Sequence, residues 1–202
     1  LEDGIRLART WPAWQGLLPG YTLLAQISLA GGDSAGAEKA LDELVRFSRC
    51  APQIILPAID AHRALLRIRL DQADQAAAWL EGNKPRQMEP RLIQIEGLAM
   101  LGKIPALLQM IDRLIMEADH SGLIHYAIRG WALKAVILQR SGKQDLALAA
   151  LHKALALGEK EGYIRTFIDL GKTIEALLKK GVPPQLEAYG MRILSAFPYS
   201  AE

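Results

Sequence analysis

Four tight turns, each flanked on both sides by apolar helical faces, constrain the fold of this chain more than any other feature. The turns are centred on Gly32, Asp71, Gly102 and Gly142. Eleven, seven and four residues before each turn, and five, nine and twelve residues after it, lie triplets with i, i+4, i+7 spacing. Side chains at that spacing share one face of a helix. The sequence therefore predicts pairs of helices that pack against each other across each turn.

The fourth turn has the clearest pattern. Its two triplets are Trp131, Ala135 and Leu138 before the turn, and Ala147, Leu151 and Ala154 after it. A small residue in each helix lets the two axes approach closely, which is the packing logic of the tetratricopeptide repeat. The turns are 39, 31 and 40 residues apart, against about 34 in the standard repeat. We therefore predict an all-α, right-handed α-solenoid of degenerate tetratricopeptide-like repeats, with a plain helix bundle as the alternative.

The predicted organisation is a single domain in two parts. Residues 1–162 contain an N-terminal helical lead-in and four repeats, at 18–51, 57–86, 88–120 and 128–161. The second repeat loses its apolar pattern at three triplet positions, which hold Asp60, Arg67 and Asn83. Residues 163–202 are predicted to cap the last repeat with short helices at 163–170, 172–180 and 185–197. Gly181 and Pro184 have the positions of a C′ glycine and a first-turn proline.

Charge and hydropathy argue against two classes of partner. Twenty-four Lys and Arg against 22 Asp and Glu give a net charge of +2, without the clustered basic face that nucleic-acid binding requires. The uncharged stretch 10–32 is interrupted by prolines and glycines and falls short of the roughly 20 residues of a membrane span. The only cysteine, Cys50, permits no disulfide within the chain, which is consistent with a cytoplasmic protein. We expect Cys50 to be a buried or half-buried apolar residue.

Sequence motifs for catalysis are missing. The segment "GGDSAG" at 31–36 lacks the Lys and Ser/Thr of a phosphate-binding loop, and no Ser, His and Asp motif indicates a nucleophile. The spacing of His120 and His125 suits no common zinc site. We expect neither an enzyme, nor a metal site, nor a cofactor in this chain.

The predicted binding face is the concave face of the solenoid, which the first helix of each repeat lines. Counting from the turns, its polar residues are Gln26, Arg69, Glu96, Arg129, Gln139 and Arg140. The three arginines suit an anionic or polyhydroxyl ligand, or an acidic peptide. The alternative for each of them is a charged side chain that is simply solvated on an exposed helix.

One stretch carries a family resemblance. "ALAALHKALALGEKEGYIRTFIDLGKTIEALL" (147–178) resembles the end of the helical-repeat sensor domain of MalT-like, LuxR-type, ATP-dependent transcriptional activators. The corresponding residues are Gly158, Glu161, Gly162, Tyr163, Arg165, Phe167, Asp169, Gly171, Leu177 and Leu178. Leu170 replaces an acidic residue of the family pattern, and Ile174 its usual Met. The segment "LLAQISLAGGDSAGAEKALDEL" (23–44) is also similar to the family.

The resemblance implies a regulatory role in a bacterial, cytoplasmic protein. Such activators carry an N-terminal ATPase module, helical repeats that sense an inducer, and a C-terminal helix-turn-helix that binds DNA. ATP is therefore expected only in a domain outside this chain, and the chain itself should neither hydrolyse ATP nor contact DNA. The expected partners are a small-molecule inducer or a regulatory protein, the other domains of the polypeptide, and a further copy in self-association. A generic tetratricopeptide scaffold for protein–protein interaction is the alternative.

Overall fold

The computed structural model describes residues 3–6 and 14–197, and every regular element in these ranges is helical. Residues 3–6 are helical, and 3-10 helices lie at Gln53–Ile55 and Pro184–Leu186. The α-helices after residue 13 are α1 (Trp14–Ala30), α2 (Ser34–Ser48), α3 (Leu56–Arg69), α4 (Ala73–Gly82), α5 (Met88–Met100), α6 (Leu107–His120), α7 (Ile124–Arg140), α8 (Gln144–Glu161), α9 (Arg165–Ile168), α10 (Lys172–Lys180) and α11 (Glu187–Ser195). The predicted all-α fold is confirmed.

All four turn residues adopt the left-handed backbone conformation. Their φ values are 76° at Gly32, 59° at Asp71, 75° at Gly102 and 74° at Gly142. Glycine enters this region without a steric penalty, and Asp is one of the few other residues that tolerate it. After Gly142, the amide of the next residue donates to the carbonyl five residues earlier, at 3.0 Å, which closes the helix end in the usual Schellman manner.

The chain divides into two compact units, Leu1–Leu101 and Gly102–Glu202. The boundary falls inside the third predicted repeat (88–120), so that α5 belongs to one unit and α6 to the other. The repeat boundaries given above stay a prediction.

In the N-terminal unit, α1 pairs with α2, and α3 packs against both α4 and α5. The helix α3 contributes Ile59 and Leu66 to the core that α1 and α2 form around Ala25 and Leu44. On the other side of α3, the helices α4 and α5 approach each other closely. At Gly97 of α5, an added Cβ would lie 2.8 Å from Cδ2 of Leu80 of α4. The unit is therefore built from helical hairpins in which small residues allow close contact.

The polar residues that weaken the second repeat form hydrogen bonds and ion pairs in the N-terminal unit. Asp60 accepts from Arg63 Nη1 at 3.1 Å, and Arg67 Nη1 donates to the backbone carbonyl of residue 75 at 3.4 Å. The carbonyl of Asn83 accepts from Gln94 Nε2 at 2.7 Å, and the same amide group donates to the carbonyl of residue 80 at 2.6 Å. Gln94 thereby satisfies carbonyls at the end of α4 that have no partner within that helix.

In the C-terminal unit, α7 packs between α6 and α8. Gly102, Gly122, Gly142 and Gly162 all have φ between 67° and 75°, so a left-handed glycine recurs every 20 residues. The close approach of α6 and α7 depends on Gly130, where an added Cβ would lie 2.7 Å from Cγ1 of Ile115. Each helix and its following turn therefore occupy 20 residues, which accounts for the long spacing between the third and fourth turns.

Three short helices follow α8 in the C-terminal unit. Of these, α9 and α10 contact α7, and α10 and α11 contact α8. The helix α10 has the predicted bounds, whereas α9 is shorter than predicted and α11 follows a 3-10 turn that begins at Pro184. Gly181 follows α10 as expected, but its φ of 168° is extended and not the left-handed conformation of a C′ glycine.

Candidate functional site

The predicted binding residues lie on the first helices of the repeats, three in each unit. Gln26 is on α1, Arg69 on α3 and Glu96 on α5, all in the N-terminal unit. Arg129, Gln139 and Arg140 are on α7 in the C-terminal unit. A single face that contains all six residues stays a prediction.

Arg69 and Glu96 form an ion pair between α3 and α5. The Nη2 atom of Arg69 lies 2.9 Å from Oε1 of Glu96, and the two side chains are only 18% and 10% exposed. Because both side chains are poorly exposed to solvent, removal of either partner would leave the remaining charge poorly solvated and destabilise the fold. The pairing also neutralises much of the positive charge of Arg69. We conclude that Arg69 holds neighbouring helices together and is a weak candidate for binding an anion.

The helix α7 brings Arg129 and Arg140 to nearly the same side. They are eleven residues apart, which is about three helical turns and about 16 Å along the axis. Arg140 is exposed and Arg129 is half-buried. Each of the two arginines is therefore a separate candidate contact for a ligand along α7.

Gln139, next to Arg140, is the least satisfied of the predicted binding residues. Its Oε1 atom is buried and accepts no hydrogen bond from the described residues. Three residues before the other turns, the chain has only apolar side chains, Leu29, Ile68 and Ala99. A buried amide oxygen without a donor costs free energy. Because the atom is inaccessible to solvent, a ligand could donate a hydrogen bond to it only after the side chain turned outward.

Trp131 links α7 to α8 through its ring face. The ammonium groups of Lys134 and Lys153 lie 4.9 and 4.4 Å from the ring centroid. Lys134 also forms an ion pair with Asp112 of α6 at 2.5 Å. Cation–π contacts of this kind stabilise helix packing by about 0.5–1 kcal/mol each at exposed sites. Trp131 and its two lysines are therefore committed to packing.

The segment that carries the family resemblance forms the packing between α8 and the short helices. Gly158 of α8 lies against two rings: an added Cβ would be 2.8 Å from the Tyr189 hydroxyl and 3.1 Å from Cε2 of Phe167. These rings meet edge to face, with centroids 6.1 Å apart. Phe167 is fully buried and Tyr189 is 2% exposed. Only glycine leaves room for both rings against the helix backbone.

The Tyr189 hydroxyl donates a hydrogen bond to the backbone carbonyl of Tyr163, just after α8. Burial raises the pKa of this hydroxyl from its ordinary value of 10.0 to about 12; Arg192 lowers it slightly and Glu159 raises it. Gly162 has φ 70°, and Arg165 Nε pairs with Asp169 Oδ1 at 2.8 Å across α9. The motif residues thus have structural roles that fix the short helices on α8.

Other candidate chemistry is limited. His62 Nε2 lies 3.7 Å from Glu89 Oε1, and His152 Nε2 lies 3.2 Å from the carbonyl of Gly181. Within residues 3–6 and 14–197, no group of three His, Cys, Asp or Glu side chains is arranged to hold a metal ion. Cys50 is exposed, so the prediction that it is buried or half-buried was wrong: it lies in the turn that follows α2, and its thiol donates to the carbonyl of Phe47 at 3.3 Å.

Sequence reasoning missed two features of these sites. The Arg69–Glu96 pair joins residues 27 apart, and only the opposite charges at neighbouring repeat positions hinted at it. Tyr189 lies outside the recognised motif, and its one signal was a lone aromatic residue on the apolar side of a short helix.

Among the described helices, none is long and apolar enough to cross a membrane.

Comparison with known proteins gives one result. No curated protein sequence matches the chain. The family model described as the MalT-like TPR region matches residues 1–182, which is most of the chain. The helical hairpins, the left-handed turns and the packed motif at 158–171 agree with that match. The chain belongs to the MalT-like TPR family.

Proposed function

We propose that this chain is the signal-sensing region of a bacterial, cytoplasmic transcription regulator of the LuxR type, and that it senses by binding and not by catalysis. Family membership supports a helical-repeat region of a MalT-type regulator. ATP hydrolysis and DNA binding belong, in this proposal, to other domains of the polypeptide. The chain itself needs no cofactor.

The observation that carries the proposal is the buried Oε1 atom of Gln139, which has no hydrogen-bond donor among the described residues. In this proposal the side chain turns outward from its solvent-inaccessible position, and a ligand that supplies a hydroxyl or ammonium donor then gains a hydrogen bond and removes the desolvation cost. Arg140 is exposed on the same helix, and in this proposal a second group of the ligand, anionic or polyhydroxyl, contacts it. A small polar inducer, for example a sugar or a polar metabolite, has this chemistry.

The mechanism we propose is a population shift. The inducer binds more tightly to one arrangement of the repeats relative to the neighbouring domains, and it therefore raises the population of that arrangement. A ligand with equal affinity for both arrangements would shift nothing. The regulatory output is then self-association and DNA binding by the complete polypeptide.

A thermal-shift screen of sugars and polar metabolites on the 202-residue chain tests the proposal, followed by calorimetric titration of each compound that raises the melting temperature. We expect Gln139→Leu to lower the affinity about five- to 150-fold, since one hydrogen bond to a buried group is worth about 1–3 kcal/mol. The same substitution should leave the free protein as stable as before or more so. Gln109→Leu, at an exposed position on α6, is the matched control and should bind normally.

Two results would count against small-molecule sensing. One is a screen in which no compound shifts the melting temperature, and the other is a ligand that Gln139→Leu binds unchanged. If a regulatory protein instead forms a stable complex with the chain, the second candidate, a tetratricopeptide scaffold for protein interaction, replaces the inducer.

A further inference from the structure

Two half-buried arginines lie one turn apart on α3. Arg63 and Arg67 are four residues apart and therefore share one face of the helix. The side chain of Arg63 is 25% exposed, and its Nη1 atom pairs with Oδ1 of Asp60, in the same helix, at 3.1 Å. Two cations at this spacing destabilise a helix slightly. Helix stability therefore does not account for the pair.

Arg67 is a half-buried cation without a carboxylate partner among the described residues. Its one hydrogen bond to them runs from Nη1 to the backbone carbonyl of Gln75 and is long, at 3.4 Å. The Nε atoms of Arg67 and Arg63 are inaccessible to solvent and have no acceptor in the same ranges. Taking a charge out of water without a partner of opposite charge costs free energy. An anion beside Arg67 would offset this cost.

The residues that correspond to Arg63 in two other repeats are held by the preceding helix. Eight residues before their turns, α5 has Gln94 and α7 has Lys134. Gln94 donates to two carbonyls at the end of α4, and Lys134 pairs with Asp112 of α6. Arg63 lies eight residues before Asp71, but its one partner is in α3 itself and no residue of α2 accepts from it. Arg63 thus does not join α3 to the preceding helix.

Arg67 has no charged counterpart in the other repeats. Four residues before their turns, the chain has Ser28, Leu98 and Leu138. Among the four repeats, only α3 has a cation at both of these positions. The fold of the other repeats forms without such a pair, so the pair is not a requirement of the repeat.

The outer ends of the two guanidinium groups can receive a ligand. The Nη2 atom of each makes no hydrogen bond within the described part of the chain, and unlike Nε it is accessible to solvent. Asp60 is the one carboxylate paired with either arginine, so the pair keeps a net positive charge. Guanidinium N–H groups form strong, charge-assisted hydrogen bonds with phosphate and carboxylate oxygens.

We propose that Arg67 and Arg63 form a binding site for an oxyanion group, a phosphate or a carboxylate, of a small ligand. Arg67 supplies the principal contact, because it lacks a carboxylate partner among the described residues. Arg63 adds a second contact from one turn earlier on the same face. This site is in the N-terminal unit, whereas Gln139 is in the C-terminal unit, and the inference does not depend on the proposed sensing function.

Titration of the 202-residue chain with inorganic phosphate at constant ionic strength, followed by NMR of the arginine Nε–H signals, tests the proposal. The signals of Arg63 and Arg67 should shift and saturate, and the melting temperature should rise by about 3–6 °C at ten times the dissociation constant. Arg67→Gln should weaken binding at least about tenfold, the loss expected for a charge-assisted hydrogen bond. Arg67→Lys, which keeps the charge but not the fork of N–H donors, should bind with intermediate affinity.

Arg46→Gln, at an arginine of α2 that is 72% exposed, is the matched control and should bind phosphate normally. Acetate in place of phosphate distinguishes the two ligand classes, because the anion that binds more tightly identifies the oxyanion that the site takes. Two results would overturn the proposal. One is a chloride titration that moves the same signals equally, which would show screening of charge and not a site. The other is a phosphate response that does not saturate or that Arg67→Gln leaves unchanged.

Discussion

Replacing Gly158 by Ala tests whether the family motif acts by packing. In a helix interior, Ala is favoured over Gly by about 1 kcal/mol, so helix propensity alone predicts a more stable protein. The new methyl group, however, would lie 2.8 Å from the Tyr189 hydroxyl and 3.1 Å from Phe167. Neither ring is a flexible chain end, and both are buried. Overpacking a core in this way costs about 1–3 kcal/mol.

A second cost comes from the hydrogen bond that Tyr189 donates to the carbonyl of Tyr163. If the ring moves away from the new methyl group, this bond is lost, at about 1 kcal/mol. The helix-propensity gain roughly cancels this loss. We therefore expect Gly158→Ala to lower the free energy of unfolding by about 1–3 kcal/mol.

Urea unfolding followed by circular dichroism measures this change. Gly82→Ala is the matched control, because outside its chain neighbours and its own helix backbone no atom of the described residues lies within 4 Å of an added Cβ there. It should leave stability unchanged or raise it. Tyr189→Phe in the Gly158→Ala background should recover part of the loss by removing the nearest clashing atom. If Gly158→Ala stabilises the chain, the packing argument is wrong and the motif glycine has another role.

Three further predictions concern single residues. Because folding raises the pKa of Tyr189 from 10.0 to about 12, the stabilising contribution of this group is complete below pH 10 and is lost, by up to about 3 kcal/mol, as the pH rises towards 12. Urea titrations at pH 8 to 11.5 should show this loss of unfolding free energy, and Tyr189→Phe should abolish the part that comes from Tyr189. If the unfolding free energy falls equally with pH in the wild type and in Tyr189→Phe, the reasoning is wrong. Arg69→Met should lower the free energy of unfolding by about 2–4 kcal/mol, because it removes the cation beside the poorly solvated carboxylate of Glu96. The control Arg46→Met, at an exposed pair, should lower it by less than about 1 kcal/mol, and equal losses in the two variants would contradict this reasoning. Asp71→Gly should raise the free energy of unfolding by about 0.5–1 kcal/mol, and with it the melting temperature, because φ at this position is 59°. A lower melting temperature would show that the Asp71 side chain makes a compensating contact.

Much of the local structure could be predicted from the sequence. The four turn residues are Gly or Asp, and all four adopt the left-handed conformation that these residues permit. The bounds of α10 follow from its position between Gly171 and Gly181. These features depend on residues within one or two helical turns, where backbone preference is decisive.

The side-chain contacts around the candidate site could not be derived from the sequence, and the binding site itself stays a prediction. The sequence marked Arg69 and Glu96 as separate members of a binding face, whereas the structure pairs them at 2.9 Å. It gave no sign that Gln139 would have a buried oxygen without a donor. It also led us to expect a buried or half-buried Cys50, which is exposed. Each of these outcomes depends on which helix lies alongside, and an apolar or polar residue type does not specify its neighbour.

The sequence by itself determined that this chain forms helical hairpins with left-handed turns, and its motif at 158–171 indicated the family. Only the tertiary structure decided what each side chain contacts: that Gly158 makes room for two rings, that Arg69 is neutralised, and that Arg67 is left without a carboxylate partner among the described residues. The physical reason is range. Turns and helices are set by interactions between residues a few positions apart, while burial and pairing are set by contacts between residues far apart in the chain.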